Sequence, residues 1–331
     1  MLKLLIVFFC LSSIAQAEMF DLSADIFAIG RPEKSLGRFS YSFQQTENTN
    51  AKSAGQIFAD QSNDAALSYK FYQKDDVSLS ARASVKEDGF ETKAVIPVSR
   101  QSLSMNLWNP AFDLTYSRKL ENERFFAQSM NLSSPSNKPF ARSRDYVVQT
   151  NSFYKIPAGD KKQDTWLFLV NFSNNRSSLN YIPLPGFAYY WNTSDDFKLT
   201  VGLPFFFLWC APFPKTMFTM MFLVPRVLKT KFSYFIFGPV QTYLGFQISD
   251  QNYMLENRSD KQDRLYYEKR DLHLGISSPL SKSFPAVLDL SSGYQFGQRI
   301  FQGKRLSDRD TSQRVELEPA FYGQAKVSMN F

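Results

Sequence analysis

One histidine, His273, stands two residues after Asp271 in Arg270-Asp271-Leu272-His273-Leu274-Gly275-Ile276. In an extended chain successive side chains alternate between two faces. Leu272, Leu274 and Ile276 therefore share an apolar face, and Asp271 and His273 share the polar one. A carboxylate and an imidazole so placed could serve as a general base toward a serine or a water. Ser277 or Ser291 could complete the set across strands, but no motif marks either as a nucleophile. The competing reading of His273 is a structural side chain on a polar surface.

Two further groups could do chemistry. Arg38, Lys70, Arg82, Lys86, Lys119, Lys155, Lys198 and Lys326 fall on the polar faces of alternating segments, with Asp113, Asp271, Asp289, Glu316 and Glu318 as acidic counterparts. Rings of Arg and Lys lower the barrier for negative solutes, so a basic excess around a pore would favour anions. The second group is apolar on both faces. Phe205, Phe206, Phe207 and Trp209 lie in a run from Val201 to Ala211, and Thr216 to Val224 is nearly as apolar. Pro204, Pro212 and Pro214 exclude a helix, so a hairpin turning at Pro212-Phe213-Pro214-Lys215 is expected. It would offer a greasy path to a lipophilic solute, or a surface packed against protein.

The elements that position these residues are strands. Alternation recurs at 38–46, 64–74, 76–86, 111–119, 145–156, 165–173, 196–203, 240–249, 264–277, 286–296 and 313–331. In 76–86, Val77, Leu79, Ala81, Ala83 and Val85 face one way while Asp76, Ser78, Ser80, Arg82, Ser84 and Lys86 face the other. Turn-forming residues separate the segments, as in Pro157-Ala158-Gly159-Asp160 and Asn192-Thr193-Ser194-Asp195. Many segments run ten residues or more, the length that crosses a bilayer, whereas soluble strands average about five or six. The chain carries 33 Phe, 16 Tyr and 4 Trp, enough for the aromatic girdles of a membrane barrel.

Residues 1–17 have the form of a secretory signal: Lys3, an apolar core from Leu4 to Leu11, and Ala15-Gln16-Ala17 before the cut. Its removal would leave Cys210 as the sole cysteine, which with the single His273 excludes the common zinc sites and an internal disulfide. No metal, cofactor or nucleotide-binding pattern is present. The net charge of +7 is spread along the chain rather than gathered into the basic stripe of a nucleic-acid binder.

The signal, the repeated amphipathic strands and the terminal Val327-x-Met329-x-Phe331 together resemble Gram-negative outer-membrane β-barrel proteins. Pro183-Leu184-Pro185-Gly186-Phe187, Gly202-Leu203-Pro204 and Arg264-Leu265-Tyr266-Tyr267 are similar to an uncharacterised family of outer-membrane barrel domains. The resemblance implies an outer-membrane location, contact with outer-membrane lipid, and Val327, Met329 and Phe331 as the signal read by the barrel-assembly machinery.

The reading is an all-β chain: a signal at 1–17, a periplasmic or lumenal lead-in at 18–35, and a single antiparallel transmembrane barrel over 36–331. About 12 strands are expected, within a range of roughly 10 to 14. The expected function is a passive or facilitated pore for small solutes, anionic or lipophilic. The alternatives are a hydrolase using His273, and a structural or adhesive barrel without transport.

Overall fold

The computed structural model describes residues 36–331 apart from 52–55, 97–98, 160–162, 177–178, 224–226, 259, 282–284, 307 and 309–313. The expected signal and lead-in lie outside the described residues. Eighteen strands follow in chain order: β1 (Gly37–Thr46), β2 (Thr49–Ala51), β3 (Gln56–Lys74), β4 (Val77–Thr92), β5 (Met105–Lys119) and β6 (Phe125–Ser133). Next come β7 (Val147–Ala158), β8 (Asp164–Ser173), β9 (Leu184–Ser194), β10 (Phe197–Leu203), β11 (Phe205–Cys210) and β12 (Thr216–Leu223). The last are β13 (Val227–Phe237), β14 (Val240–Tyr253), β15 (Arg264–Pro279), β16 (Ala286–Gly303), β17 (Arg314–Glu316) and β18 (Ala320–Asn330).

Each strand pairs antiparallel with its neighbours, and β1 closes the ring on β18 from Arg38↔Asn330 to Thr46↔Tyr322. The short β2 continues β1 along β3, and β17 continues β18 along β16. Eighteen strands less these two extensions give a sixteen-membered barrel, not the twelve expected. Three members carry weak signals. β6 puts Gln128 on its outer face, β9 holds Pro185 and Gly186, and β13 follows directly on the apolar run that masks its own alternation. The run from Phe197 to Cys210 is also two strands, paired Phe197↔Cys210 to Val201↔Phe206, with Pro204 between them.

Alternation decides which way each residue faces. On β4 Leu79, Ala81, Ala83 and Val85 point out, and Ser80, Arg82, Ser84 and Lys86 point in beside Thr115, Asp113, Ala111 and Asn109 of β5. The terminal strand keeps the same phase, with Phe321 57% exposed and its neighbour Tyr322 4% exposed. Closure leaves no strand edge, so nearly all backbone donors and acceptors of the wall are paired within it.

The two rims differ. The rim where β1 begins and β18 ends, the chain-end rim, has tight turns, such as Asp75-Asp76 between β3 and β4 and Gly238-Pro239 between β13 and β14. The opposite rim carries the long connections 93–104, 134–146, 254–263 and 304–313. Wall height varies too: β3 and β16 have 19 and 18 residues, β10 to β12 only 7, 6 and 8. A tilted strand needs about 9–11 residues to span a bilayer, so the wall is lowest on the loop side around Pro204.

Candidate functional site in the barrel lumen

Among the described residues eleven basic side chains lie on inward positions: Arg38, Lys70, Arg82, Lys86, Lys119, Lys155, Lys198, Lys229, Lys231, Lys269 and Lys326. The described inward acids are six: Asp60, Asp64, Asp88, Asp113, Asp271 and Asp289. Glu316 lies on the outer face instead, with its carboxylate 2.7 Å from the Arg314 guanidinium. Glu318 sits at the loop rim, where it accepts a hydrogen bond from the Asn50 amide at 3.1 Å.

Outside, the wall is apolar. Leu67, Phe112, Leu114, Val170, Leu244 and Leu274 are all 45% exposed or more. Trp166, Tyr189 and Trp191 stack edge to face on the outer surface near the chain-end rim, with centroids 4.6 Å apart in each pair. Charge inside and a continuous apolar belt outside invert the plan of a water-soluble barrel. The protein is a transmembrane β-barrel.

No family model matches this barrel, and no curated relative matches it. Among solved structures it is similar to an outer membrane channel from Pseudomonas putida F1, at 8% identity and a TM-score of 0.39, covering 90% of this chain and 96% of the other. It is also similar to the TodX monoaromatic hydrocarbon channel (deltaS2 mutant), at 12% identity and a TM-score of 0.42, covering 90% and 91%. A third is outer membrane phospholipase A from Escherichia coli, at 10% identity and a TM-score of 0.29, covering 91% and 93%.

The lumen of the barrel is divided along its axis. Toward the chain-end rim Arg38, Asp64, Lys119 and Lys326 are exposed. Toward the loop rim the inward residues are buried and linked across the bore. Tyr267 donates to Asp60 at 2.9 Å, Tyr253 donates to Asp88, and Lys86 lies 3.2 Å from Asp88. Lys269 is buried in the same group. Above it an apolar cluster fills the mouth. Ala94, Ile96 and Leu103 of the 93–104 loop pack with Phe58, Phe90 and Leu107 from one wall and Tyr253, Leu265 and Ile300 from the other.

A second loop lies over this cluster. Ser136 of the 134–146 loop bridges both to Trp108 and to Met254 on the far wall. The Met254 amide donates to the Pro135 carbonyl at 2.7 Å, and Arg142 and Arg144 each donate to the Glu256 carbonyl at 2.9 Å. Beneath them Arg258 meets Asp145 at 2.7 Å, with side chains 1% and 2% exposed. At the surface the Lys138 ammonium, 2.7 Å from Glu256, holds that carboxyl below its usual range. The connection 134–146 is thus a lid latched to 254–258.

His273 lies on the inward face of β15, and its Nδ1 is 2.7 Å from the Asp271 carboxylate. Tyr322 donates to the same oxygen at 3.1 Å. In register His273 lies between Gly245 of β14 and Gly293 of β16. A side chain at Gly245 would collide with the Nε2 edge of the imidazole, and one at Gly275 would collide with the Tyr243 ring. Each ring therefore covers the bare backbone of a neighbouring glycine, a known way to restore packing in a glycine-bearing sheet. Tyr243 also donates to Asp289 at 2.5 Å, and the Lys231 ammonium sits 3.7 Å from its ring centroid. Among the described residues no serine is bonded to His273. Ser277 opposes Asp289, and Ser291 opposes Gly275 and donates to Gln324 at 3.4 Å.

The apolar hairpin divides between faces. Phe206 points to the outside with Leu208, while Phe205, Phe207 and Trp209 point into the lumen. Phe205 joins Ala127, Phe153, Leu167, Leu169, Ala188, Leu223 and Val227 in one buried cluster. One apolar cluster thus spans the inward faces of the half of the wall from β6 to β13, beside polar groups such as Asn131, Asn151 and Asn171. Val327 and Met329 face outward opposite Tyr41 and Phe39, and the Phe331 amide donates to the Gly37 carbonyl at 3.0 Å. Lys229 and Lys231 went unnoticed in the sequence, although they alternate cleanly with Leu228, Thr230 and Phe232. The lid pair Arg258–Asp145 has no sequence signal, because nothing periodic links residues 113 apart.

Proposed function

We propose that this barrel is an outer-membrane pore for small solutes that favours anions, with the lid of 134–146 as its gate. The observation that carries the reading is the inward excess of eleven basic over six acidic side chains. In a narrow bore with low-dielectric walls such an excess raises the local concentration of negative solutes. The exposed charges at the chain-end rim suit an entry vestibule, and the buried polar group below the lid suits a closed state. Long connections on one rim and tight turns beside Gly37 and Phe331 on the other fit an orientation with the lid outside the cell and the tight turns in the periplasm.

Reversal potentials in a planar bilayer under a KCl gradient test the selectivity. Chloride preference is expected, and cation preference would overturn the reading. The salt dependence should be steep, because exposed charges are screened over about 10 Å at 0.1 M ionic strength.

A further inference from the structure

All six inward acids belong to β3, β4, β5, β15 and β16. Across the lumen, the eight strands from β6 to β13 present four inward lysines, Lys155, Lys198, Lys229 and Lys231, and no inward acid among the described residues. The same eight strands carry the inward apolar cluster around Phe153, Leu167 and Phe205. Charge of one sign and grease thus share a surface, while mixed charge occupies the other.

Four of these residues form one row across adjacent strands: Lys198 on β10, Trp209 on β11, Thr219 on β12 and Lys231 on β13. Phe207 and Met217 flank it on the same face. All six are partly exposed to the lumen, unlike the buried cluster nearer the loop rim. The Lys198 ammonium lies 5.0 Å from the Trp209 ring centroid and makes no ion pair among the described residues. A cation that rests on an aromatic face keeps donors free for an incoming anion, and the same ring offers that anion's apolar part a flat contact.

We propose that this row is a binding site for an amphipathic organic anion, a single carboxylate on an aryl or alkyl body. The carboxylate meets Lys198, and its body lies along Trp209, Phe207 and Met217, with the Thr219 hydroxyl and Lys231 at the far end. A bare inorganic anion would leave the aromatic faces unused. A neutral hydrocarbon would leave the ammonium without a partner. The proposal rests on the pore reading for its biological meaning, and binding can be measured apart from conduction.

The test uses the full-length barrel in nanodiscs of uncharged lipid, with octanoate, 3-phenylpropionate, octanol and acetate as probes. Binding is read from tryptophan fluorescence and confirmed by calorimetry against empty nanodiscs. Octanoate and 3-phenylpropionate should bind at least about tenfold more tightly than octanol or acetate, the scale of one charge-assisted contact. Lys198→Gln should weaken the carboxylates about tenfold and leave octanol unchanged. Trp209→Leu should weaken both carboxylates and abolish the fluorescence response, with calorimetry still reporting the residual binding. Lys215→Gln, on an exposed turn outside the lumen, should change nothing. Equal affinity for octanol and octanoate, or carboxylate binding indifferent to Lys198→Gln, would overturn the site. Failure to conduct chloride with carboxylate binding intact would instead overturn the pore reading and leave the site standing.

Discussion

Arg258→Met is the sharpest test of the lid. The guanidinium and the Asp145 carboxylate are both buried, 2.7 Å apart. Removing one member of such a pair leaves the other charged in a poorly solvating place, at about 3–5 kcal/mol. Here the two partners differ in what else holds them. Arg258 also donates to the carbonyls of Leu255 at 2.9 Å and Arg144 at 3.2 Å. Asp145 would lose the cation it touches, leaving only the more distant Arg264 guanidinium near it. Arg258→Met should therefore weaken the closed lid by the full amount, roughly 150- to 5000-fold in the closed-to-open ratio at about 1.4 kcal/mol per decade. Asp145→Asn keeps the shape and leaves Arg258 on its carbonyls, so it should cost about 1–3 kcal/mol. Arg258→Met with Asp145→Leu should recover much of the loss, since an apolar pair has no charge to desolvate. Closed dwell times in planar bilayers and protease cleavage within 134–146 give two independent readouts. If Arg258→Met left both unchanged, or if Asp145→Asn were the more damaging variant, the latch argument would be wrong.

Three more outcomes are expected. Lys138 holds Glu256 below the usual carboxylate range, and Lys304, 2.5 Å from Asp260, does the same there. A depressed folded pKa stabilises above the ordinary carboxylate value and is lost as pH falls through the lowered one, so the protection factors of amides in 134–146 and 254–258, corrected for the intrinsic pH dependence of exchange, should fall below about pH 4 and be flat from pH 6 to 8. Deleting Phe331 removes both hydrogen bonds to Gly37 and the terminal aromatic of the expected assembly signal; the yield of heat-modifiable barrel in membranes should fall severalfold, and undiminished yield would count against that role. His273→Ala decides between packing and catalysis: ester or phospholipid turnover by the purified barrel that this variant abolishes would establish the hydrolase reading, and turnover indifferent to it would end a catalytic role for the Asp271–His273 pair.

The strands were legible because lipid and lumen impose opposite demands on alternate residues. Thirteen of the sixteen wall positions stood out as alternation or as part of the apolar hairpin. Legibility failed where one face departed from that contrast. β6 carries Gln128 outward, β9 is interrupted by Pro185-Gly186, and β13 follows directly on the apolar run of β11 and β12, which masks its alternation. The seven lysines and arginines singled out as lumen-lining, Arg38, Lys70, Arg82, Lys86, Lys119, Lys198 and Lys326, are on inward positions because their phase follows from their neighbours. Their division into a mixed-charge wall and one with no inward acid among the described residues could not be read, since it depends on strand order around the ring. The lid was equally hidden, because its contacts join loops with no repeating pattern.

The glycines around His273 offer a final discrimination between packing and chemistry. If the imidazole chiefly covers Gly245, its loss and the filling of that glycine are two views of one contact. Gly245→Val would drive a branched side chain into the ring, at about 1–3 kcal/mol for overpacking. His273→Ala would remove the obstacle, so the double variant should be more stable than Gly245→Val alone by most of that amount. Urea unfolding of the barrel refolded into lipid, followed by tryptophan emission, measures all three variants. Additive losses would show that the imidazole is held for something other than this glycine. Asp271 and Tyr322, which fix its Nδ1 edge, would then be the place to look for a proton-handling role.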